Sequence, residues 1–364
     1  MVLIAGRGDA TVIPEVDSRH PRTESVGRML ATGSGAAEFE ALRRDLLAHL
    51  RPLLSGVEVI LAHNVMTMPF NLALSWALLD TGVPLVAWTH DIAWLDDRYR
   101  AFRRPDFPCS ILNHPQPGVV HAAISEDAAE RLASVMGLPR AEISVVPNGV
   151  GVLDFLDIDQ PTRDLAAEAG LLGADPLVLL PVRITPRKRL GLALEAADQL
   201  RRAHPNLRMV VSGPLGAHSG DNHDHFEHLL ERRAALALEG HVKFLTEFSR
   251  AGEHPVSGPM VPGFFRLADV ILLTSESEGF GLPVLEAAIS RTPIVTPDLP
   301  VLREAGGDDM VTFPPDATGA LIADAVQAAL DRPGSRLRSR VRREYDWPVV
   351  LDRTLAVISR ATGG

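Results

Sequence analysis

Two glutamates, Glu278 and Glu286, flank a glycine-containing turn and are separated by seven residues. The turn follows an apolar run, Ala268 to Leu273, that has the length of a buried strand, and it leads into a predicted helix. Glycines let the backbone approach a ligand, and the free N–H groups at a helix start favour an anion such as phosphate. A carboxylate beside a phosphate would repel it, so we expect both glutamates to accept hydrogen bonds from hydroxyl groups. Hydroxyl groups plus a phosphate predict a sugar-nucleotide site. In the structural alternative, Glu278 caps the turn and Glu286 is solvated.

A cluster of cations follows a second apolar run, Leu177 to Val182. Arg183 and Lys188 precede the predicted helix Leu190 to Ala203, where the helix dipole disfavours positive charge, so an anionic ligand should offset them. Arginine offers a planar fork of donors and lysine a point charge, and both suit a phosphate without a metal. The neighbouring Arg187 and Arg189 are predicted to be solvated.

Histidines follow two predicted strands of the first half. His63 ends one strand and His90 ends the next, at the carboxyl edge where open α/β sheets bind ligands. The structural alternative is a hydrogen-bonded histidine in each place. A metal site is a further alternative in the polar loop that holds His218, Asp221, His223, Asp224 and His225, although the loop reads as a turn-rich insertion without cysteine.

The segment from Glu278 to Glu286, with Gly-Phe-Gly-Leu-Pro between the acids, resembles the E-x(7)-E signature of the group-1 retaining glycosyltransferases of the GT-B fold. Residues 292–300 and Arg303-Glu304 resemble the segment that follows in that family. The resemblance implies that Glu278 contacts the transferred sugar, that Glu286 holds the ribose hydroxyls, and that His90 borders the sugar. It also implies that the donor diphosphate is bound by Arg183, Lys188 and the loop residues Gly279, Phe280, Gly281 and Leu282.

Short apolar runs alternate with longer amphipathic ones along the chain, which predicts an α/β fold with parallel sheets. The first-half strands are predicted at Met1 to Ala5, Val57 to Ala62, Pro84 to Trp88, Val119 to Ile124 and Ile143 to Val146. The helices predicted between them include Ala36 to Leu50, Asn71 to Leu79 and Glu126 to Met136. The resemblance implies a GT-B arrangement of two Rossmann-like domains that face a cleft. The predicted domains are residues 1–155 and 156–345, with a last helix, 346–364, that crosses back onto the first. We expect the chain to lack the family's first N-terminal βα unit, because its opening strand corresponds to a later one.

Composition excludes several classes of protein. A net charge of −10 argues against nucleic-acid binding, one cysteine, Cys109, excludes an internal disulfide, and no apolar run reaches membrane-spanning length. We therefore expect a cytoplasmic protein. The basic run Arg336 to Arg343 is either a solvated helix face or a contact with a membrane surface.

The residue patterns and the resemblance together predict a metal-independent glycosyltransferase without a cofactor, and the resemblance implies that it is a retaining one. Its donor is expected to be a UDP- or GDP-linked hexose, and its acceptor a hydroxyl of an unknown small molecule, glycan or lipid-linked sugar. Removal of either Arg183 or Lys188 is expected to cost roughly 10²-fold or more in rate. The alternatives are a sugar-nucleotide epimerase or glycoside phosphorylase of the same fold, or a non-catalytic nucleotide-sugar-binding protein.

Overall fold

The computed structural model describes residues 2–216, 220–250 and 253–363, and the chain divides into two compact units. Unit 1 consists of Met1–Gly149 and Pro348–Gly364, and unit 2 of Val150–Trp347. Each unit has its own hydrophobic core. In the described ranges, no helix is at once long enough and apolar enough to cross a bilayer.

Unit 1 contains a four-stranded parallel sheet in the order β3-β4-β5-β6 and a separate parallel pair of very short strands, β1-β2. Its strands are β1 Ile4–Ala5, β2 Thr11–Val12, β3 Ile60–His63, β4 Leu85–Thr89, β5 Val119–Ala123 and β6 Ser144–Val145. Its helices before unit 2 begins are α1 Pro21–Ala31, α2 Ala36–Leu53, α3 Leu72–Leu79 and α4 Glu126–Met136.

The core of unit 1 forms where apolar residues recur at the helical period. Helix α2 buries Phe39, Leu42, Leu46 and Leu50 on one face, and the nearly uniformly apolar α3 is buried almost all round. Strand β4 is buried along its whole length, as a central strand of a parallel sheet should be. The carboxyl ends of β3 and β4 meet at one edge of the sheet, so His63 and the residues after Thr89 lie side by side.

Unit 2 contains a six-stranded, wholly parallel sheet. Its strands are β7 Leu177–Leu180, β8 Arg208–Val211, β9 Val242–Phe244, β10 Val270–Leu272, β11 Ile294–Pro297 and β12 Val311–Phe313. Its helices are α5 Val152–Phe155, α6 Gln160–Glu168, α7 Leu190–Ala203, α8 Gly220–Ala235, α9 Val261–Leu267, α10 Leu282–Ser290, α11 Pro300–Gly306, α12 Gly319–Leu330 and α13 Pro333–Tyr345. Residues Asp154 to Arg163, at the predicted boundary between the first two domains, lie largely in α5 and α6.

The strand order of unit 2 identifies where a ligand should bind. The spatial order β12-β11-β10-β7-β8-β9 corresponds to 6-5-4-1-2-3 in chain order, the doubly wound Rossmann order. Strands β7 and β10 are neighbours, and the chain leaves them toward opposite edges of the sheet. The carboxyl ends of β7 and β10 are therefore the topological switch point of the sheet, the place where open α/β sheets bind ligands.

Helix α13 contains the basic run and is fixed to unit 2 by ion pairs. The Asp269 side chain, which is 1% exposed, accepts hydrogen bonds from the Leu177 backbone N–H at 2.8 Å and from Arg342 Nη1 at 3.1 Å. Arg338 lies 4.0 Å from the same carboxylate, whereas Arg340 and Arg343 are more than half exposed. The predicted solvated face of α13 is thus exposed at Arg340 and Arg343. Arg338 and Arg342, from the same basic run, instead hold α13 in place.

The chain then returns to unit 1 through helix α14, Trp347–Ala361. Val350 and Val357 of this helix pack in one buried cluster with Val86, Trp88 and Val146. The indole N–H of Trp88 donates to the Val146 carbonyl oxygen at 2.9 Å.

The prediction of an α/β fold built on two parallel sheets is confirmed. The predicted helices Glu126 to Met136 and Leu190 to Ala203 have the predicted bounds, and the larger strands differ by a few residues. The opening strand is wrong in its role: Ile4–Ala5 pairs with Thr11–Val12 in the separate two-stranded sheet rather than in the main sheet of unit 1.

Candidate functional site

The site in unit 2 lies in the two loops that follow β7 and β10, at the switch point of the sheet. The loop after β7 is fixed from one side by the loop after β8, because Ile184 N–H donates to Pro214 O at 2.9 Å and Gly216 N–H donates to Ile184 O at 3.1 Å. A Cβ atom on Gly213 would lie 2.2 Å from the Val182 carbonyl oxygen, so only glycine permits this close approach. Arg183, on the loop so fixed, is exposed.

The loop after β10 is joined to the loop after β7 by three contacts. The hydroxyl of the buried Thr274 donates to Lys188 O at 2.7 Å, and Glu276 N–H donates to Arg187 O at 2.9 Å. Lys188 Nζ lies 2.5 Å from Glu278 Oε1. The two hydrogen bonds to backbone carbonyl oxygens hold the two loops together. They thereby position Lys188 and Glu278 for a short, charge-assisted ion pair.

The Lys188–Glu278 ion pair is nearly buried, since the two side chains are 11% and 10% exposed. Removing two charges from water is costly, and such a pair persists only where its geometry is good. The lysine ammonium has three donors and the glutamate holds one of them, so the pair can still bind a further anionic oxygen. The structure therefore brings together two residues that the sequence predicts for the same ligand.

Helix α10 begins at the end of this loop with an uncapped amino terminus. Its N-cap residue, Gly281, has φ +89°, a left-handed conformation that favours glycine, and no side chain of the described residues caps the helix. Pro283 in the first turn fits the start of a helix. The first-turn N–H groups and the helix dipole together provide an anion-binding end.

The remaining loop residues surround this helix start. Gly279 has open space where a Cβ would be, and Phe280 and Leu282 are 62% and 59% exposed. Glu286 lies one turn along α10 and is half-buried. The side chains of Arg187 and Arg189 reach the carbonyl oxygens of Ser277 and Pro315, so neither cation is simply solvated.

The second group of candidate residues lies at the carboxyl edge of the sheet in unit 1. The His63 and His90 rings are 5.7 Å apart between centroids, and the His63 ring is 4.6 Å from that of Trp88. Burial lowers the pKa of His63, and the nearby His90 lowers that pKa further, so both favour the neutral form of the His63 ring. His90 Nε2 is buried without a hydrogen-bond partner among the described residues.

Asn64 organises the backbone that follows β4, a role for which the sequence shows only a polar residue after a strand. Its side-chain oxygen accepts from the N–H groups of His90 at 3.1 Å and Asp91 at 2.9 Å, while its Nδ2 donates to Asp91 Oδ2 at 2.9 Å. Asn64 itself has φ +56°, which asparagine tolerates better than most residues. His90 and Asp91 are therefore held in fixed backbone positions.

The alternative metal site falls partly outside the described residues, since His218 and the side chain of Asp221 are not among them. His223 lies 3.8 Å from Glu227, one helical turn away on α8. Within residues 2–216, 220–250 and 253–363, no group of three or more histidine, cysteine, aspartate or glutamate side chains is arranged to hold a metal ion.

Comparison with protein families gives matches over almost the whole chain. The family described as "Glycosyl transferases group 1" matches residues 163–344, and the one described as "Glycosyltransferase Family 4" matches residues 3–152. The first match covers unit 2 apart from its two ends, and the second covers most of unit 1.

Similar proteins include two named D-inositol 3-phosphate glycosyltransferase. The one from Kineococcus radiotolerans is 32% identical over 77% of this chain, and the one from Nocardia farcinica is 30% identical over 93%. The matched parts span 66% and 74% of those two proteins, so the first alignment covers just under two thirds of its relative.

Similar solved structures include Anabaena Alr3699/HepE in complex with UDP-glucose, with 18% identity, a TM-score of 0.40, and coverage of 87% of this chain and 82% of that one. An α,α-trehalose-phosphate synthase from Burkholderia xenovorans has 14% identity and a TM-score of 0.40, with coverage of 97% and 87%. At these TM-scores, neither similarity is evidence for the fold beyond the strand order described above.

Proposed function

Because this chain belongs to the group 1 glycosyltransferase family, we propose that it transfers a hexose from a nucleoside diphosphate sugar to an acceptor hydroxyl, with retention of anomeric configuration and without a metal. The observation that carries the proposal is the Lys188–Glu278 ion pair at the switch point, beside the uncapped start of α10. The donor is UDP- or GDP-linked, and the similar D-inositol 3-phosphate glycosyltransferases make cyclitols the first acceptors to test.

Different residues of unit 2 bind different parts of the donor. The exposed Arg183 and the paired Lys188 neutralise the diphosphate, and the N–H groups at the start of α10 bind its oxygens. Glu278 accepts a hydrogen bond from a sugar hydroxyl, and Glu286 accepts from the ribose hydroxyls. His90 of unit 1 borders the transferred sugar, in the role that the family resemblance gives it.

In the reaction, the bond between the anomeric carbon and the diphosphate oxygen breaks as the acceptor oxygen bonds to the same face of that carbon. The acceptor proton passes to an oxygen of the leaving diphosphate, so no protein carboxylate is needed as a base. Arg183, Lys188 and the amides of residues 279–282 stabilise the negative charge that develops on the diphosphate, which is the largest contribution we expect from the protein.

The first test is a thermal-shift screen of the purified chain against UDP, GDP, ADP and their sugar conjugates. A ligand at 100 times its dissociation constant stabilises by about 2.7 kcal/mol, which corresponds to a rise in Tm of about 5 to 10 °C for a domain of this size. We expect the nucleotides of one base, uracil or guanine, to raise Tm more than the others. The absence of any shift in a cooperatively melting protein would contradict the donor site.

The second test measures transfer directly. With the donor so identified, NMR of the product from an acceptor panel reports the anomeric configuration, and activity in excess EDTA tests metal independence. Glu286→Gln is expected to raise the donor KM about 10- to 100-fold, because a charged hydrogen bond is lost. The exposed Glu276→Gln is the matched control and should leave the donor KM unchanged. An inverted product would exclude the retaining mechanism.

A further inference from the structure

A cavity of about 460 Å³ lies at the carboxyl end of β4 in unit 1, directly beside His90. Part of its wall is the segment that follows β4, so the cavity occupies the edge where a parallel sheet binds its ligands. The proposed function assigns the donor nucleotide to unit 2 and leaves this edge of unit 1 without a ligand, so the cavity is a candidate for the acceptor.

The charges that line this cavity are almost all neutralised locally. The charged lining residues are Asp91, Asp96, Asp97, Arg98 and Arg131. Arg98 binds Asp96 at 2.5 Å, and Asp97 lies 2.9 Å from Arg103. Arg131 lies 2.8 Å from Asp127 on the first turn of α4. Both arginines of the lining therefore have a carboxylate partner.

Asp91 is the exception, because among the described residues it makes no ion pair. It is exposed, and its carboxylate receives a hydrogen bond only from Asn64 Nδ2, at 2.9 Å. A carboxylate that is exposed, fixed in position and without a cation at ion-pair distance can accept a hydrogen bond from a ligand hydroxyl, and it repels a second anion.

Part of the cavity lining is apolar. Phe70 and Leu95 are 45% and 48% exposed, and the rings of Phe70 and Tyr99 meet edge to face at 5.9 Å. Apolar walls with a few placed polar groups are typical of small-molecule sites. The C–H faces of a sugar or cyclitol ring can pack on such a wall while its hydroxyls reach Asp91.

A neighbouring cavity of about 340 Å³ lies beside His63 and Asn64, and the charges in its lining are also paired. Its charged lining residues are Arg7 and Asp17, which lie 3.4 Å apart. Among the described residues, therefore, neither cavity at this edge of unit 1 presents a cation without a carboxylate beside it. A phosphate monoester would therefore meet no uncompensated cation among the described lining residues of either cavity, and in the cavity beside His90 it would meet the unpaired carboxylate of Asp91.

We propose that the cavity beside His90 binds a neutral, polyhydroxylated acceptor, a sugar or cyclitol ring, with the Asp91 carboxylate accepting a hydrogen bond from one of its hydroxyls. The proposal rests on the glycosyltransferase function proposed above and narrows its acceptor. It distinguishes this chain from the similar proteins whose name specifies a phosphorylated acceptor.

The test compares acceptors that differ only in one phosphate, myo-inositol with inositol 3-phosphate and glucose with glucose 6-phosphate, using the donor found by thermal shift. We expect kcat/KM to be at least about 10-fold higher for the neutral member of a pair, since a carboxylate repels a phosphate. Asp91→Asn should lower kcat/KM for the neutral acceptor about 10-fold and leave the donor KM unchanged. The variant is expected to fold, because Asn64 Oδ1 still accepts from the backbone N–H of residue 91.

Glu130→Gln removes an equal charge from an exposed position on α4 outside the cavity, and it should behave like the wild type. Preference for the phosphorylated member of each pair would overturn the proposal and leave the glycosyltransferase function standing. Equal effects of Asp91→Asn and Glu130→Gln would also overturn it. Failure of the wild type both to bind any nucleotide sugar and to transfer from it would instead contradict the proposed function itself.

Discussion

Lys188 and Glu278 are 90 residues apart in the chain, yet each is about nine-tenths buried against the other. Their predicted functional role and their structural role therefore overlap. A variant that removes one of them loses a donor contact and also leaves the other charge buried without its partner, so loss of activity alone does not identify the cause.

A double-variant experiment separates the two roles. Lys188→Met should lower the free energy of unfolding by about 3 kcal/mol, because it leaves a buried carboxylate uncompensated, and should lower Tm by about 6 to 12 °C. Lys188→Met with Glu278→Gln removes both charges, so we expect most of the lost stability to return while transfer remains at least about 10²-fold below the wild type. Thermal unfolding and initial rates of transfer measure the two effects. Recovery of transfer in the double variant would contradict the catalytic assignment.

His121 on β5 is 6% exposed, and neither ring nitrogen has a hydrogen-bond partner among the described residues. Burial lowers the pKa of His121 to about 4, from about 6.5 in the unfolded chain. Since the unfolded state takes up the proton first, stability is expected to fall as pH decreases from about 7 to 4, by about 3 kcal/mol for this group.

His121→Leu should flatten this part of the pH profile and, at pH 7, leave the protein as stable as the wild type or about 1 kcal/mol more stable, because two unsatisfied buried nitrogens are removed. Urea unfolding at several pH values measures both effects. The exposed His49→Gln serves as the control, with a wild-type profile. An unchanged slope in His121→Leu would show that other groups cause the acid sensitivity.

Helix α13 is attached to unit 2 through Asp269, which bonds at once to the first strand of the sheet and to the helix arginine Arg342. Asp269→Asn should destabilise unit 2 by about 3 kcal/mol, because the Arg342 side chain, only 9% exposed, is left without its counter-charge. Glu344→Gln breaks an exposed pair with Arg340 and should cost less than about 1 kcal/mol. Denaturant unfolding distinguishes the two. Similar losses in both variants would mean that burial of the Asp269 pair is not what matters.

Elements with local signals could be predicted from the sequence. Helix α4 has the predicted bounds because the Ser125 hydroxyl accepts from Ala128 N–H at its start and Gly137, with φ +65°, ends it. Helix α1 was not predicted, and its N-cap residue His20 makes no side-chain cap that would have marked its start.

The candidate site was predicted as two separate groups of residues, because each loop carries its own charge pattern. Their contact depends on β7 and β10 being neighbours, which is a property of strand order and not of either segment. The same holds for Asp269 with Arg342 and for Asn64 with Asp91, whose partners are distant in the chain. Asp91 follows a predicted site residue directly, and its uncompensated charge emerges only when the partners of the surrounding aspartates are known.

At the scale of the whole molecule, we expect the nucleotide and the intact nucleotide sugar to protect different parts of the chain from hydrogen exchange. UDP or GDP alone should slow amide hydrogen exchange only in the unit 2 segments 181–189 and 274–286, because the nucleotide contacts are proposed there. The intact nucleotide sugar should extend protection to residues 89–91, if His90 borders the transferred sugar. Hydrogen exchange with mass spectrometry measures both. Identical protection by the nucleotide and its sugar conjugate would contradict the assignment of His90.

The return of α14 to unit 1 has a consequence for how the chain matures on the ribosome. Val350 and Val357 complete the cluster around Trp88 and Val146, so unit 1 cannot bury this cluster until residues 348–364 have been synthesised, after all of unit 2. Unit 2 is contiguous in sequence and can fold while the nascent unit 1 still exposes that apolar surface. The unit that is translated first therefore completes its packing last, and in the interval we expect the faces of Trp88 and Val146 to remain open to solvent.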